Sequence, residues 1–247
     1  MTYEPSLSLI RKAPEAGIIL DAGCGDLYYT KILKNNLRNI ISFDITEPEK
    51  PLNNEILFFL GTIENLPFKN NTFDFIYCFS VIQLIKNDQS VINEFFRVLK
   101  PGGTLLLTVP TSKSPFRIIR EMEIHFNVYQ TPQYNVQHHH YYSLKDVQKL
   151  ATNSFRIQSI SGYKYNFIPR LVHFILEVSK QKKWFSGTMK FFSEGKNETL
   201  YHNYKYHIIE YPIIDYDLKI RKCYRFRLMA NLFDRLAYHY IILLKKG

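Results

Sequence analysis

The chain reads as an α/β fold built on a mostly parallel, doubly wound sheet, and three observations predict it. Short apolar runs alternate with helical patterns from the start of the chain to Pro110. The runs are continuous in Ile, Leu, Phe and Val, as strands buried on both faces are. Five such runs with four crossovers fit into about 110 residues, the density of a doubly wound sheet. With 46% apolar and 15% aromatic content in 247 residues, the chain can close one sizeable core, so one domain over 1–247 is expected.

Residues 17–20 predict the first buried strand and residues 28–37 the helix behind it. Residues 39–43 form a second strand that ends at Asp44, and residues 56–60 a third that ends at Gly61. Residues 73–79 make a fourth, aromatic and β-branched apart from Asp74 and Cys78. Val91, Ile92, Phe95, Phe96 and Leu99 then recur at helical spacing, and Lys100-Pro101-Gly102-Gly103 stops that helix. A fifth strand follows at 104–109. In the second half, Ser143 is an N-cap for a helix through Asn153 with Leu144, Val147 and Leu150 on one face. Strands at 155–160 and 238–244 bracket an insertion, read as a cap over 163–235, with helical patterns at 169–183 and around Ile220 to Leu236.

Composition excludes several classes. Cys24, Cys78 and Cys223 are far apart and odd in number, which argues against a disulfide framework or a Cys-rich zinc site and for a reducing, cytoplasmic setting. No metal site is expected. The N-terminal stretch lacks the layout of a secretory signal, and no apolar run approaches the roughly 18 residues of a membrane span. Charge is divided unevenly. Residues 1–110 hold 10 Lys+Arg against 12 Asp+Glu, whereas 111–247 hold 22 against 10, so the whole excess of +10 comes from the second half. That asymmetry suits an anionic partner such as nucleic acid, a phospholipid surface or a phosphorylated substrate, and equally a solvated basic face.

The chemistry is carried by Ile18-Ile19-Leu20-Asp21-Ala22-Gly23-Cys24-Gly25, a strand running into a glycine turn that opens a helix. Glycines there permit positive φ and let a ligand approach the main chain. Asp44 ends the next strand, 19 residues after Gly25, where a carboxylate can accept hydrogen bonds from both hydroxyls of a ribose. Gly61-Thr62-Ile63-Glu64-Asn65-Leu66-Pro67-Phe68 follows the third strand, and Arg97-Val98-Leu99-Lys100-Pro101-Gly102-Gly103 precedes the fifth.

Together these residues closely resemble the class I S-adenosylmethionine-dependent methyltransferases, in particular the ubiquinone and menaquinone biosynthesis group. The resemblance covers residues 17–109 and, more loosely, 138–160. It implies a Rossmann-like, seven-stranded, mostly parallel sheet with helices on both faces and an antiparallel last strand, and S-adenosyl-L-methionine as cofactor. Carried over by position, Asp21, Ala22, Gly23, Cys24 and Gly25 form the loop around the methionine moiety, with Asp21 near its amino group. Asp44 is the ribose carboxylate and Ile45 packs on the adenine. Gly61, Thr62 and Ile63 stand at the adenine edge, and Cys78, Phe79 and Ser80 at the rim of the methyl-transfer site. The chain departs from the family at Leu27, where a further glycine is common, and at Thr62, where an aspartate is common. The second departure leaves the amide of Ile63 to carry more of the recognition and predicts weaker cofactor affinity.

A base is needed only if the acceptor is a hydroxyl or a carbon acid. His138 and His140, within the run His138-His139-His140, are the catalytic candidates, because an imidazole suits proton transfer near neutral pH. A cluster of exposed histidines would look the same. Phe79-Ser80-Val81-Ile82 lacks the Asn/Asp-Pro-Pro-aromatic motif of enzymes that methylate amino groups of bases or glutamine, and no Pro-Cys pair exists for cytosine carbon methylation. The expected reaction is therefore O- or C-methylation of a small-molecule or lipid-like acceptor. An amphipathic stretch ending at Trp184-Phe185 reads first as a lid helix packing its apolar face on the core, and is also compatible with peripheral membrane contact. The competing readings are an RNA methyltransferase that uses the basic second half, and a noncatalytic binding protein on the same fold.

Overall fold

The computed structural model describes residues 10, 13, 14, 17–33, 39–48, 56–112, 116–126, 138–151, 154–163, 214–216 and 239–247. Its strands are β1 (Ile18–Ala22), β2 (Asn39–Asp44), β3 (Leu57–Leu60), β4 (Phe73–Phe79), β5 (Leu99–Pro110), β6 (Phe155–Tyr163), β7 (Ile214–Tyr216) and β8 (His239–Lys246). The helices are α1 (Tyr28–Leu33), α2 (Asp88–Val98), α3 (Phe116–His125) and α4 (Leu144–Ala151).

The strands form one sheet in the order β3-β2-β1-β4-β5-β8-β6-β7. β1 to β5 are parallel, and β8 runs antiparallel between β5 and β6. The antiparallel closing strand is thus where the sequence places it. The sheet has eight strands rather than the expected seven; the additional β7 is a three-residue edge strand on β6, inside the segment read as an insertion. The remainder of that segment, including the helical patterns at 169–183 and 220–236, lies outside the described residues.

Both faces of the sheet are covered, which is why its strands read as continuous apolar runs. On one face Leu20, Ile76 and Leu107 pack with Val91, Ile92, Phe95 and Val98 of α2 and Val147 and Leu150 of α4. On the other, Ile19, Phe75, Tyr77 and Ile241 pack with Leu33 of α1 and with Ile10 and Ala13. Each fully buried side chain of this size stabilises the fold by about 1.5–3 kcal/mol.

Local signals set the element ends. Asn87 caps α2 by accepting the Ser90 amide at 3.3 Å. At the other end of α2, Lys246 Nζ donates to the carbonyls of Phe96 and Leu99, both at 2.7 Å, so the closing strand satisfies the groups that a helix C-terminus leaves open. The Pro-Gly-Gly segment then bulges within β5: pairing passes from Phe73 with Leu99 directly to Phe75 with Thr104, and Gly102 sits at φ 72°. At α4 the Ser143 hydroxyl accepts from the Asp146 amide at 3.3 Å while Asp146 Oδ2 accepts from the Ser143 amide at 2.7 Å, a reciprocal cap. α3 is not among the expected elements. Its buried face includes Arg120 and Glu123 as well as Ile119.

Candidate functional site

Strand order reverses between β1 and β4, and the carboxyl ends of the strands flanking such a reversal open a crevice. The registers of Ala22 with Phe43, Asp44 with Leu60 and Asp21 with Tyr77 bring the predicted loop, carboxylate and rim to this one edge.

The loop after β1 is shaped by close packing on one side and open space on the other. The amides of Gly23 and Cys24 donate to the Phe43 carbonyl at 2.8 and 3.2 Å, which folds the loop over the end of β2. Gly23 has φ 80°, and a Cβ there would lie 2.3 Å from Val81 Cγ2. Gly25, at φ 48°, would meet nothing within 4 Å, so the space above it is free. The position at which the family often has a further glycine is indeed left-handed: Leu27 has φ 64° and is held there fully buried.

Asp44 spans the crevice wall. Its Oδ2 accepts the Gly25 amide at 2.9 Å, and its Oδ1 accepts the Thr46 amide and hydroxyl at 3.1 Å. The next side chain, Ile45, is 71% exposed, an apolar surface beside the loop with nothing packed on it among the described residues. The Gly61 amide donates to the Asp44 carbonyl at 2.8 Å, and a Cβ at Gly61 would sit 2.7 Å from the Phe43 ring. Thr62 spends its hydroxyl on its own turn, accepting the Glu64 amide at 3.3 Å, while Ile63 is buried.

Asp21 lies beneath the loop, 3% exposed, with Oδ2 accepting the Thr30 hydroxyl at 2.6 Å. The Thr30 oxygen is also 2.8 Å from Ser42 Oγ, which links α1, β1 and β2 through buried hydroxyls. Burial pushes the Asp21 carboxyl up to about 7, with the charge of Asp44 adding to the shift and the Thr30 hydrogen bond opposing it. Burial also raises the thiols of Cys24 and Cys78, with the Asp21 charge as the second cause, so both are held as neutral thiols unsuited to nucleophilic attack.

At the rim, Phe79 and Ser80 are half-buried and Cys78 is buried. Ser80 is left-handed at φ 56°, with its amide donating to the Thr108 carbonyl at 3.1 Å and to Thr108 Oγ1 at 3.0 Å. The histidine run is tied to the same rim, because the amides of His139 and His140 donate to the Gln83 carbonyl at 2.8 and 3.2 Å. His140 Nε2 lies 3.0 Å from the Lys86 carbonyl, which cannot donate, so the ring nitrogen supplies the proton. The His138 ring centroid lies 5.3 Å from that of Tyr141, with the two planes tilted at 48°. Sequence reasoning missed Thr30, which only its buried partners mark, and His239, whose Nε2 is 3.3 Å from Ser80 Oγ across 159 residues of chain.

Residues 20–107 match the model of a methyltransferase domain family. That match covers less than half of the chain and agrees with the motifs that resemble the class I S-adenosylmethionine-dependent methyltransferases. A probable S-adenosylmethionine-dependent methyltransferase of Mycolicibacterium smegmatis is 28% identical over 96 residues, 37% of each chain. A malonyl-[acyl-carrier protein] O-methyltransferase of Hamiltonella defensa is 28% identical over 94 residues, 36% of each chain. The matches span no more than about half the length of the curated relatives, and less than a fifth of some. A crystal structure from Thermotoga maritima, described as an S-adenosylmethionine-dependent methyltransferase and possible histamine N-methyltransferase, superposes with a TM-score of 0.58. That match has 15% identity and covers 98% of this chain and 87% of the other, a likeness of fold. The matched residues include the glycine loop, Asp44 and the rim at 78–80; the resemblance to the ubiquinone-like subgroup rests on the motifs alone.

Proposed function

We propose that the chain transfers the methyl group of S-adenosyl-L-methionine to a small-molecule or lipid-like acceptor, at oxygen or carbon, beneath a cap contributed by residues 163–235. The observation that carries this reading is the Gly25 to Asp44 bridge, which presents a half-exposed carboxylate next to open backbone and a bare apolar side chain. These residues fit an adenosyl group. Asp44 accepts from ribose hydroxyls, Ile45 covers the adenine, Gly61, Thr62 and Ile63 edge it, and Asp21, Ala22, Gly23, Cys24 and Gly25 surround the methionine part. When bound, the cofactor supplies a methyl group already activated by its sulfonium, so the protein contributes position more than acid or base.

The relative from Hamiltonella defensa is a malonyl-[acyl-carrier protein] O-methyltransferase, which supports a lipid-like acceptor and oxygen chemistry. Cys78, Phe79 and Ser80 form the rim that receives the acceptor. His138 and His140 are the bases proposed for that rim; the anchorage of His140 through Nε2 leaves Nδ1 as its only basic nitrogen. A cytoplasmic location, with contact to a membrane surface for a lipid-like acceptor, belongs to the same proposal, and no described helix is long and apolar enough to cross a membrane.

The test is incubation of the purified chain with methyl-labelled S-adenosylmethionine and a cell extract, followed by separate recovery of organic-soluble compounds, RNA and protein. Label in the organic-soluble fraction is expected. Label confined to RNA would overturn the acceptor class, and cofactor binding without any transfer would make the chain a binding module.

A further inference from the structure

One cluster at the crevice edge is left over once the cofactor loop and the histidine run are assigned. β8 runs opposite to β4 and β5, so its first residue lies at the end of the sheet where those two strands finish. Pairing of His239 with Pro110 places the imidazole at that edge, where it is 4% exposed. Its Nε2 is 3.3 Å from Ser80 Oγ, and the same hydroxyl is 3.4 Å from Thr108 Oγ1. Ser80 is therefore a half-buried hydroxyl between a buried imidazole and a buried threonine. It sits on the first residue after β4, in a left-handed conformation that a non-glycine residue adopts at a cost of about 1–2 kcal/mol.

The single Ser80 amide, shared between the Thr108 carbonyl and Oγ1, holds that conformation, with the hydroxyl in reach of His239 on β8. A serine needed only to pin β4 to its neighbour could do so from ordinary extended backbone. A hydroxyl backed by an imidazole at hydrogen-bond reach is also the arrangement that moves protons from an oxygen acid.

We propose that Ser80 and His239 form a proton-accepting pair for an acceptor bearing a hydroxyl rather than an amine. This rests on the methyltransferase reading above and narrows its acceptor. The acceptor oxygen binds beside Ser80 Oγ. Its O–H bond breaks as the proton passes to Ser80 Oγ while the Ser80 proton passes to His239 Nε2. The new O–CH3 bond forms as the C–S bond of the sulfonium breaks, leaving a neutral thioether, and the imidazolium returns its proton to solvent. His239 is a base supplied by the closing strand, distinct from His138 and His140 in the run that hangs from the Gln83 carbonyl.

The test uses the full chain, labelled with 15N-histidine and saturated with S-adenosylhomocysteine, and titrated with 1-octanol, 4-nitrophenol and octylamine while the His239 ring resonances are followed. 1-Octanol or 4-nitrophenol is expected to shift them, octylamine is not, and Ser80→Ala is expected to weaken the effective probe at least tenfold. Cooperative thermal unfolding of His239→Gln and Ser80→Ala close to that of the parent separates a failed pair from a misfolded variant. A His239 signal that none of the probes moves, or that octylamine moves as far as the hydroxyl compounds, overturns the pair. Absence of S-adenosylhomocysteine binding to the parent chain would instead overturn the methyltransferase reading.

Discussion

The two walls of the crevice are built in opposite ways. On the cofactor side, residues 21–25 and 42–46 come from consecutive strands, and main-chain bonds do most of the shaping, Gly23 and Cys24 on Phe43 and Gly61 on Asp44, joined by the Gly25 amide on the Asp44 carboxylate. On the rim, side chains from distant parts of the chain meet, with Ser80 against Thr108 and His239, and the histidine run hanging from Gln83. Main-chain geometry tolerates changes of side chain as long as each φ is kept. A side-chain cluster can change its chemistry with one substitution while the fold stays intact. The cofactor wall is accordingly the general part of the site and the rim the specific part.

Substitution at Gly23 should break the cofactor wall most severely. In Gly23→Ala the added methyl meets Val81 at 2.3 Å on a backbone at φ 80°, and affinity for S-adenosylhomocysteine should fall more than about 100-fold, about 3 kcal/mol. Gly25→Ala meets open space and carries only the left-handed cost of about 1 kcal/mol, a loss of roughly fivefold. Calorimetric titration of the two variants checks the order; equal losses would remove the argument that Gly23 is set by packing and Gly25 by access.

The buried network under the loop gives the next largest effect. Thr30→Val keeps shape but deletes the donor to Asp21, and chemical denaturation should show a loss of about 1–3 kcal/mol. Asp21 also sets a pH dependence. Folded Asp21 holds its proton to about 7, whereas the unfolded side chain releases it near the ordinary 3.8. Between those values the native state carries the extra proton, so this group makes stability fall as pH rises through the window and level off above it, by at most about 1.4 kcal/mol per unit. Asp21→Asn should flatten that slope in denaturation curves collected from pH 4 to 8. An ammonium group meeting this carboxylate favours its ionised form, so S-adenosylhomocysteine should bind more tightly at pH 8 than at pH 6.

The smallest effect belongs to Leu27. Leu27→Gly relieves about 1–2 kcal/mol of left-handed strain and gives up about 1.5–3 kcal/mol of burial. A net destabilisation near 1 kcal/mol in urea melts, with unchanged cofactor affinity, is expected. A loss of affinity would mean that the bulk of Leu27 shapes the cofactor wall directly.

The same contrast explains what could be read in advance. β4 is legible to the residue, Phe73 to Phe79, because strands buried on both faces are apolar throughout. The Asp21 to Gly25 turn and Asp44 are legible because local backbone demands recur with local spacing. β5 begins earlier than expected, at Leu99, because Pro101 and Gly102 loop out of a ladder that resumes at Thr104. α3 is hidden because polar Arg120 and Glu123 occupy its buried face. β7 joins the edge through a three-residue pairing too short to have a pattern. His239 carries no local mark at all: its partner is fixed only when β8 inserts antiparallel beside β5.

The central claim is that the carboxyl ends of β1 and β2 form a cradle for an adenosyl group, with Asp44 as the ribose acceptor. Titration of S-adenosylhomocysteine into the parent chain and into Asp44→Ala, with melting temperatures recorded alongside, tests it most directly. Saturable one-to-one binding by the parent, weakened at least about tenfold in Asp44→Ala at nearly unchanged stability, is the predicted result. Equal binding by the two proteins, or none by a folded parent, would contradict it.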